Sequence, residues 1–307
     1  SKGHICPKAV ALQDLHHDPD RLRHPVKRTA DGWVPISWDE ALDETARRLH
    51  NTQETHGKDS VALYFGNPTA HNHGALFTLL PFVKALRSRQ RYSATSADQL
   101  PHMLAAWQLF GHQALFPIPD VDRTDYFLII GGNPLASNGS IMTVPDVKGR
   151  LKALQKRGGR VVVIDPRRTE TAKVADEHHF VRPGTDVYLL LAIVQVLFEE
   201  LLVAPGQLDK ILDGKKDLAR LVANWKPEKV ADTVGLPADA IRKLARDMAA
   251  APRAAIYSRV GVTTSAHSTL SAWLVYVINI LTGNLDREGG VMFTKPAFDI
   301  VAIGALS

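Results

Sequence analysis

Three segments of this chain, Tyr126–Ile130, Val161–Ile164 and Ala254–Tyr257, are apolar at every position, and each stops abruptly. Unbroken apolar runs of this length are buried on both faces, as strands are inside a parallel sheet clad by helices. Gly131-Gly132-Asn133-Pro134 follows the first run, Asp165-Pro166 the second and Ser258-Arg259-Val260-Gly261 the third. Helical patterns at 147–157, 187–200 and 238–250 alternate with these strands, which is the order of a doubly wound sheet. Further helices are expected at 38–55, 74–87, 102–110 and 270–282, with shorter ones at 205–212, 218–224 and 227–233. Ser37 and Glu40 form a capping box for the first of them. A strand at 61–65 and a hairpin around Thr29-Ala30-Asp31-Gly32 add to the amino-terminal region. Residues 91–101 and 259–268 read as polar loops, and the apolar tail from Val291 has no evident partner within the chain. The fold class is therefore α/β: a doubly wound, mostly parallel sheet preceded by a small irregular amino-terminal piece.

Charge and cysteine content remove several functions. The net charge is +5 and the isoelectric point near 9.3, yet the longest basic clusters are pairs such as Arg167-Arg168 and Lys215-Lys216. Nucleic-acid binders gather such charge on one stripe, so this charge reads as a solvated surface. No run approaches the roughly 18 apolar residues of a membrane span. The start, SKGHICPKAV, lacks the apolar centre of a signal peptide, so the expected compartment is the cytoplasm, with the periplasm left open if a leader was removed. A single cysteine, Cys6, rules out an internal disulfide framework.

Ligands of open α/β sheets bind beyond the carboxyl ends of the strands. There Asp165 can accept hydrogen bonds from a ribose or base edge, while Arg167 and Arg168 can meet phosphate. Downstream, Arg182-Pro183-Gly184-Thr185-Asp186 offers a guanidinium, a tight turn and a second carboxylate, matched to an edge with two N–H donors such as guanine. The plainer reading is that Asp186 caps its helix and Asp165 closes a turn. A nicotinamide site is disfavoured because no Gly-x-Gly-x-x-Gly follows the first strand. His71 and His73 have metal-pair spacing but no third ligand in view.

Taken together, several short segments resemble the molybdopterin oxidoreductase family, the bis(molybdopterin guanine dinucleotide) group of formate dehydrogenases, nitrate reductases and dimethyl sulfoxide reductase. They are His4-Ile5-Cys6-Pro7-Lys8-Ala9, Pro19 to Pro25, Trp33 to Ala41, Gly131-Gly132-Asn133-Pro134, Ile164 to Thr169, Arg182 to Asp186 and Leu281-Thr282-Gly283-Asn284. Each is weak alone; their order and spacing carry the resemblance over nearly the whole chain.

The resemblance implies a molybdenum or tungsten centre held by the pterin cofactor. Cys6 matches the last of four cysteines around a 4Fe-4S cluster, and Lys8 the lysine between cluster and pterin; one thiolate cannot hold a cluster, so upstream cysteines would be required. The position of the metal ligand falls on Asp98, with Ser96 as the alternative two residues earlier; either residue could instead serve as a helix N-cap. An oxygen ligand suits a high-valent, oxophilic metal. Gln99 occupies the place of the histidine of formate dehydrogenases, and Thr294-Lys295-Pro296-Ala297 that of their Arg-Gly-Gln-Asn, which argues against formate oxidation. Gly131, Gly132 and Asn133 are implied for pyrophosphate, Asp165, Arg167, Arg182, Gly184 and Asp186 for the guanosine end, and Gly261 with His267 for the pterin near the metal.

The same resemblance implies an organisation. Residues 1–55 match a remnant of the cluster domain, 56–92 the first part of a split α/β domain, 93–290 the domain holding one guanine dinucleotide, and 291–307 a tail returning to the split domain. The family's carboxyl-terminal domain has no counterpart here, so the expectation is an amino-terminal fragment that needs that domain, an electron-transfer partner or subunit, and a small-molecule substrate. Two functions follow: the catalytic portion of a molybdenum oxidoreductase performing two-electron or oxygen-atom transfer, or a non-catalytic nucleotide-binding fragment without a working metal.

Overall fold

A computed structural model of the chain describes residues 3–302 apart from Cys6, Asn67, Ala70, His71, Ala297, Phe298 and Ile300. The chain divides into two units, Cys6–Ser96 and Ser1–Ile5 with Ala97–Ser307. The smaller unit begins with two short helices, α1 (Pro7–Val10) and α2 (Leu12–His17). The expected hairpin follows, β1 (Val26–Thr29) against β2 (Gly32–Pro35), and then α3 (Trp38–His56). Ser37 caps α3 by accepting the Glu40 amide at 3.1 Å, which satisfies one of the free donors of the first turn. The unit continues through β3 (Leu63–Phe65), α4 (His73–Leu86) and β4 (Arg91–Ser93). Strand β4 lies where the sequence suggests a polar loop. Its three residues pair in parallel with β3, so the partner strand imposes the extended backbone that local composition does not signal.

Helices α5 (Thr95–Asp98) and α6 (Leu100–Phe110) lead to β5 (Pro117–Pro119), β6 (Tyr126–Ile130), α7 (Pro134–Ser137), α8 (Val147–Lys156), β7 (Arg160–Ile164) and β8 (Glu177–His179). Next come α9 (Asp186–Glu199), α10 (Lys215–Val222), α11 (Pro227–Val234), α12 (Ala238–Ala250), β9 (Ala254–Ser258), α13 (Val260–Thr263), α14 (Ser268–Leu281) and β10 (Val291–Phe293). The three apolar runs become β7, β6 and β9 of a parallel sheet ordered β8-β7-β6-β9, with Tyr126 opposite both Arg160 and Ala254.

The sheet is covered on both faces. Leu128, Ile130, Val162, Ile164 and Ile256 pack on one side with α9, α11, α12 and α14. Phe127, Ile129, Val161, Val163 and Tyr257 pack on the other with α8. Alternate residues thus serve opposite cores, which is why the runs cannot afford a polar position. Strand β6 has β7 on one side and β9 on the other, and the chain crosses by α8 to the first and by the opposite helical layer to the second. The order therefore reverses between β6 and β9, the place where such sheets leave a crevice.

Two expectations need correction. The tail from Val291 does have a partner: β10 runs antiparallel to β5, Val291 opposite Pro119 and Phe293 opposite Pro117. Two prolines in three residues conceal β5 in the sequence, since proline normally leaves a ladder. The stretch 259–268 is not all loop, because α13 makes a helical turn at the end of β9.

Strand β9 is the outer strand of its sheet, and a buried side chain completes its free edge. Asn279, in the middle of α14 and 1% exposed, accepts the Ile256 amide at 3.1 Å and donates to the Ile256 carbonyl at 3.0 Å. Asn284 accepts the Ala254 amide at 3.0 Å in the same way. The Leu281-Thr282-Gly283-Asn284 segment thus serves the sheet edge, and Gly283 is required because a Cβ there would lie 2.6 Å from the Ala204 carbonyl oxygen.

Candidate functional site

The backbone beyond β6 and β9 crosses at two glycines. Gly261 donates its amide to the Gly131 carbonyl at 2.9 Å, and a Cβ on Gly261 would sit 2.7 Å from the Gly131 Cα. Gly131 has φ of 57° and donates its own amide to the Ile164 carbonyl at 2.9 Å. Its open Cα therefore makes room for Gly261, and its N–H is spent within the sheet. A pyrophosphate contact through the Gly131 amide, the expectation from sequence, does not fit this geometry. The amides of Gly132 and Asn133 form no hydrogen bond with the described residues. Gly261→Ala should destabilise the larger unit by about 3 kcal/mol, because backbone rather than a flexible side chain blocks the new methyl. Calorimetry would read this, and an unshifted melting temperature would show that the crossing can widen freely.

Asn133 is also engaged. Its amide donates to Glu170 at 2.6 Å, and its carbonyl oxygen accepts from the Thr171 amide and hydroxyl at 3.2 and 2.8 Å. The side chain therefore ties the exit of β6 to the turn after β7, and only its backbone is left for a ligand.

Arg259, the first residue beyond β9, reaches across this crossing. Its guanidinium donates to Asp98 Oδ1 and to Gln99 Oε1, each at 2.8 Å. The arginine side chain is 10% exposed and Asp98 42%. Sequence reasoning assigned Asp98 and Gln99 to the site but gave Arg259 no role. The one signal was its position, a charged residue directly after a fully buried strand at the carboxyl edge.

Arg259 also lines a small cavity of about 20 Å³, together with His102, Tyr257, Ser258, Tyr276 and Asn279 among others. His102 Nδ1 bonds the Tyr276 hydroxyl at 3.1 Å. Burial lowers the His102 pKa to about 4, the Arg259 charge acting in the same direction and the Ser258 backbone against both. The imidazole is thus neutral near pH 7.

The two acidic residues expected at the nucleotide end are close enough for the charge of one to act on the other. Asp186 opens α9 and is 4% exposed; burial raises its pKa to about 6, its own backbone amide opposes this, and the charge of Asp165 adds to the rise. Asp165 Oδ1 accepts the Arg167 amide at 2.8 Å, so it closes a turn. Arg182, Pro183, Gly184 and Thr185 form a turn in which Thr185 donates back to the Arg182 carbonyl at 3.2 Å, with Gly184 at φ of 79°. That φ needs glycine at the third turn position. The Arg182 stem lies beside Gly235 at the end of α11, while Arg167 is exposed.

The remaining candidates are dispersed. His267 is exposed before α14 with its ring edge-on to Tyr188 at 6.4 Å, in the first turns of α9. Ser96 Oγ donates to the Ser93 carbonyl at 3.0 Å and Lys8 is exposed on α1, both in the smaller unit. Cys6 and His71 lie outside the described residues, and His73 begins α4. Among the described residues no three histidine, cysteine or acidic side chains cluster as a metal cage. No helix of the described residues is long and apolar enough to cross a membrane.

Comparison with known proteins bears on the family and the fold. A family model described as molybdopterin oxidoreductase matches residues 21–298. The chain is similar to the molybdopterin-containing subunit of thiosulfate reductase from Salmonella typhimurium, 30% identical over 95% of this chain and 38% of that protein. It is also similar to formate dehydrogenase H from Escherichia coli, at 28% identity over 94% of this chain and 40% of the relative. Among solved structures, acetylene hydratase from Pelobacter acetylenicus superimposes with a TM-score of 0.74 and 26% identity, over 91% of this chain and 38% of its own. The chain spans about two-fifths of the length of these curated relatives.

The family implies a molybdenum–molybdopterin cofactor, and the residues at the crevice suit one. Among the described residues, Gln99 Nε2 and Thr263 Oγ1 are buried without a partner, the amides of Gly132 and Asn133 make no hydrogen bond, and Asp186 is desolvated without an ion-pair partner. Buried polar groups left unmatched by their own chain are the groups a polar ligand satisfies.

Proposed function

Because the chain belongs to the molybdopterin oxidoreductase family, we propose that it is the catalytic portion of a molybdenum or tungsten enzyme performing two-electron redox or oxygen-atom transfer on a small substrate. The observation that carries this reading is the meeting of Asp98 and Gln99 with Arg259 at the reversal between β6 and β9. Asp98 would give the metal an oxygen ligand, and the free Gln99 amide would point a donor at the substrate. When bound, the cofactor supplies the redox chemistry; the chain supplies orientation and polarity. His267 stays in this reading as a residue near the pterin. A 4Fe-4S cluster on Cys6 with Lys8 beside it, and an electron-transfer partner, belong to the same proposal.

The cofactor in this reading is the guanine dinucleotide form. Asp186 and Asp165 receive the guanosine end, the Gly132 and Asn133 amides receive pyrophosphate, and Arg167 and Arg182 offset its charge. Protein purified from a molybdenum-replete host should carry metal and release GMP on acid hydrolysis. Metal without GMP would remove the dinucleotide, and neither would remove the enzyme.

A cheaper test uses guanosine diphosphate. Ionised Asp186 accepts from the two N–H donors of guanine, and its pKa of about 6 lies above the ordinary 3.8. Deprotonation is needed for binding, so affinity should rise about tenfold between pH 5 and pH 8 and then level off. The same shift makes the ligand-free fold favour low pH: the stability contributed by the neutral carboxyl is full below 3.8 and lost as pH passes 6. Asp186→Ala should weaken binding by about 100-fold, two charge-assisted bonds, and flatten the pH profile. Titration calorimetry with equal affinity in both proteins would move the nucleotide elsewhere.

A further inference from the structure

Asp98 can bind a metal in two ways, through one oxygen or both, and nothing in its own helix chooses between them. We propose that Arg259 makes the choice: it is a positioning residue that holds Asp98 Oδ1, leaving the other carboxylate oxygen as the metal ligand. This inference rests on the reading of Asp98 as the ligand.

Three observations support it. The guanidinium grips two consecutive residues, Asp98 and Gln99, at equal distances of 2.8 Å, so it fixes the rotation of the loop as well as its charge. The second Asp98 oxygen makes no hydrogen bond with the described residues. Arg259 is itself held. Its backbone amide donates to the Ile130 carbonyl at 3.3 Å, continuing the β6–β9 pairing past the strand end.

Arg259 Nε and Ser258 Oγ are buried and have no partner among the described residues. Ligating carboxylates are oriented by outer hydrogen bonds of the kind Arg259 makes to Asp98.

The test compares Arg259→Gln, Arg259→Lys and Asp98→Asn in the molybdenum-loaded protein, read by X-ray absorption at the metal, by the Mo(V) paramagnetic signal and by metal content. Arg259→Gln should keep a protein oxygen on the metal but split or broaden the Mo(V) signal, with turnover down about 10- to 100-fold. Arg259→Lys, which keeps the buried cation but not the fork, should restore thermal stability without restoring a single signal; it also serves if the glutamine variant fails to fold. Asp98→Asn should remove the oxygen. An unaltered Mo(V) signal in both arginine variants, beside an altered one in Asp98→Asn, would overturn the positioning role. An unaltered metal environment in Asp98→Asn would overturn the ligand reading instead.

Discussion

Asn279→Leu should lower the unfolding free energy by about 3 kcal/mol although the two side chains have nearly the same shape. The exchange deletes two bonds to Ile256 and one to the Val275 carbonyl at 3.0 Å. Bulk solvent does not reach these groups, since Asn279 and Ile256 are each 1% exposed. An orphaned buried N–H or carbonyl costs about 1–3 kcal/mol, so the Ile256 pair alone costs more than the leucine regains by burying its methyl groups. For a unit of this size the melting temperature should fall by about 10 °C. Asn279→Asp should be worse, since it keeps the acceptor for Ile256 N–H but loses both donors and buries a charge. A leucine variant melting within 2 °C of the parent would mean that β9 does not rely on a side chain to finish its edge.

This edge also shows what the sequence can and cannot reveal. Strands β6, β7 and β9 are legible because burial on both faces leaves only apolar residues, and the turns after them are marked by glycine, proline and aspartate. Asn279 is invisible by the same logic: one polar residue in an apolar helix reads as a tolerated exception, and its partner is a backbone 23 positions away. Strands β4, β5 and β8 escape detection because each has three residues whose extended form depends on a distant partner, Leu63, Val291 and Val162 respectively.

The candidate site divides along the same line. Asp98, Gln99, Asp165 and Asp186 are found from local pattern and family likeness, whereas Arg259 lies 161 positions from Asp98 and no local pattern joins them. Gly131 shows a different limit. Its glycine requirement is real, but the sequence cannot tell whether the missing Cβ makes way for a ligand or, as the Gly261 crossing shows, for the chain itself.

Asp98→Asn should have the largest effect on turnover of any single change, a loss on the order of 1000-fold, which corresponds to about 4 kcal/mol in the barrier. The amide keeps the shape and can still accept from Arg259, so the fold should lose little; a partly exposed pair of this kind contributes about 1 kcal/mol. What disappears is the anionic oxygen. On the reading of Asp98 as the ligand, a neutral amide would be a poor ligand for a high-valent centre, and the Arg259 charge would be left uncompensated. Asp98→Ser restores an oxygen donor on a shorter stem, so it should recover part of the lost turnover while Asp98→Ala recovers none. Viologen-linked assays over a panel of small oxygen-atom acceptors, with melting temperatures measured in parallel, separate the chemical loss from any loss of fold. An asparagine variant retaining more than about a tenth of parental turnover would transfer the ligand role to Ser96. The Arg259 contact would then be one that holds α5 in place.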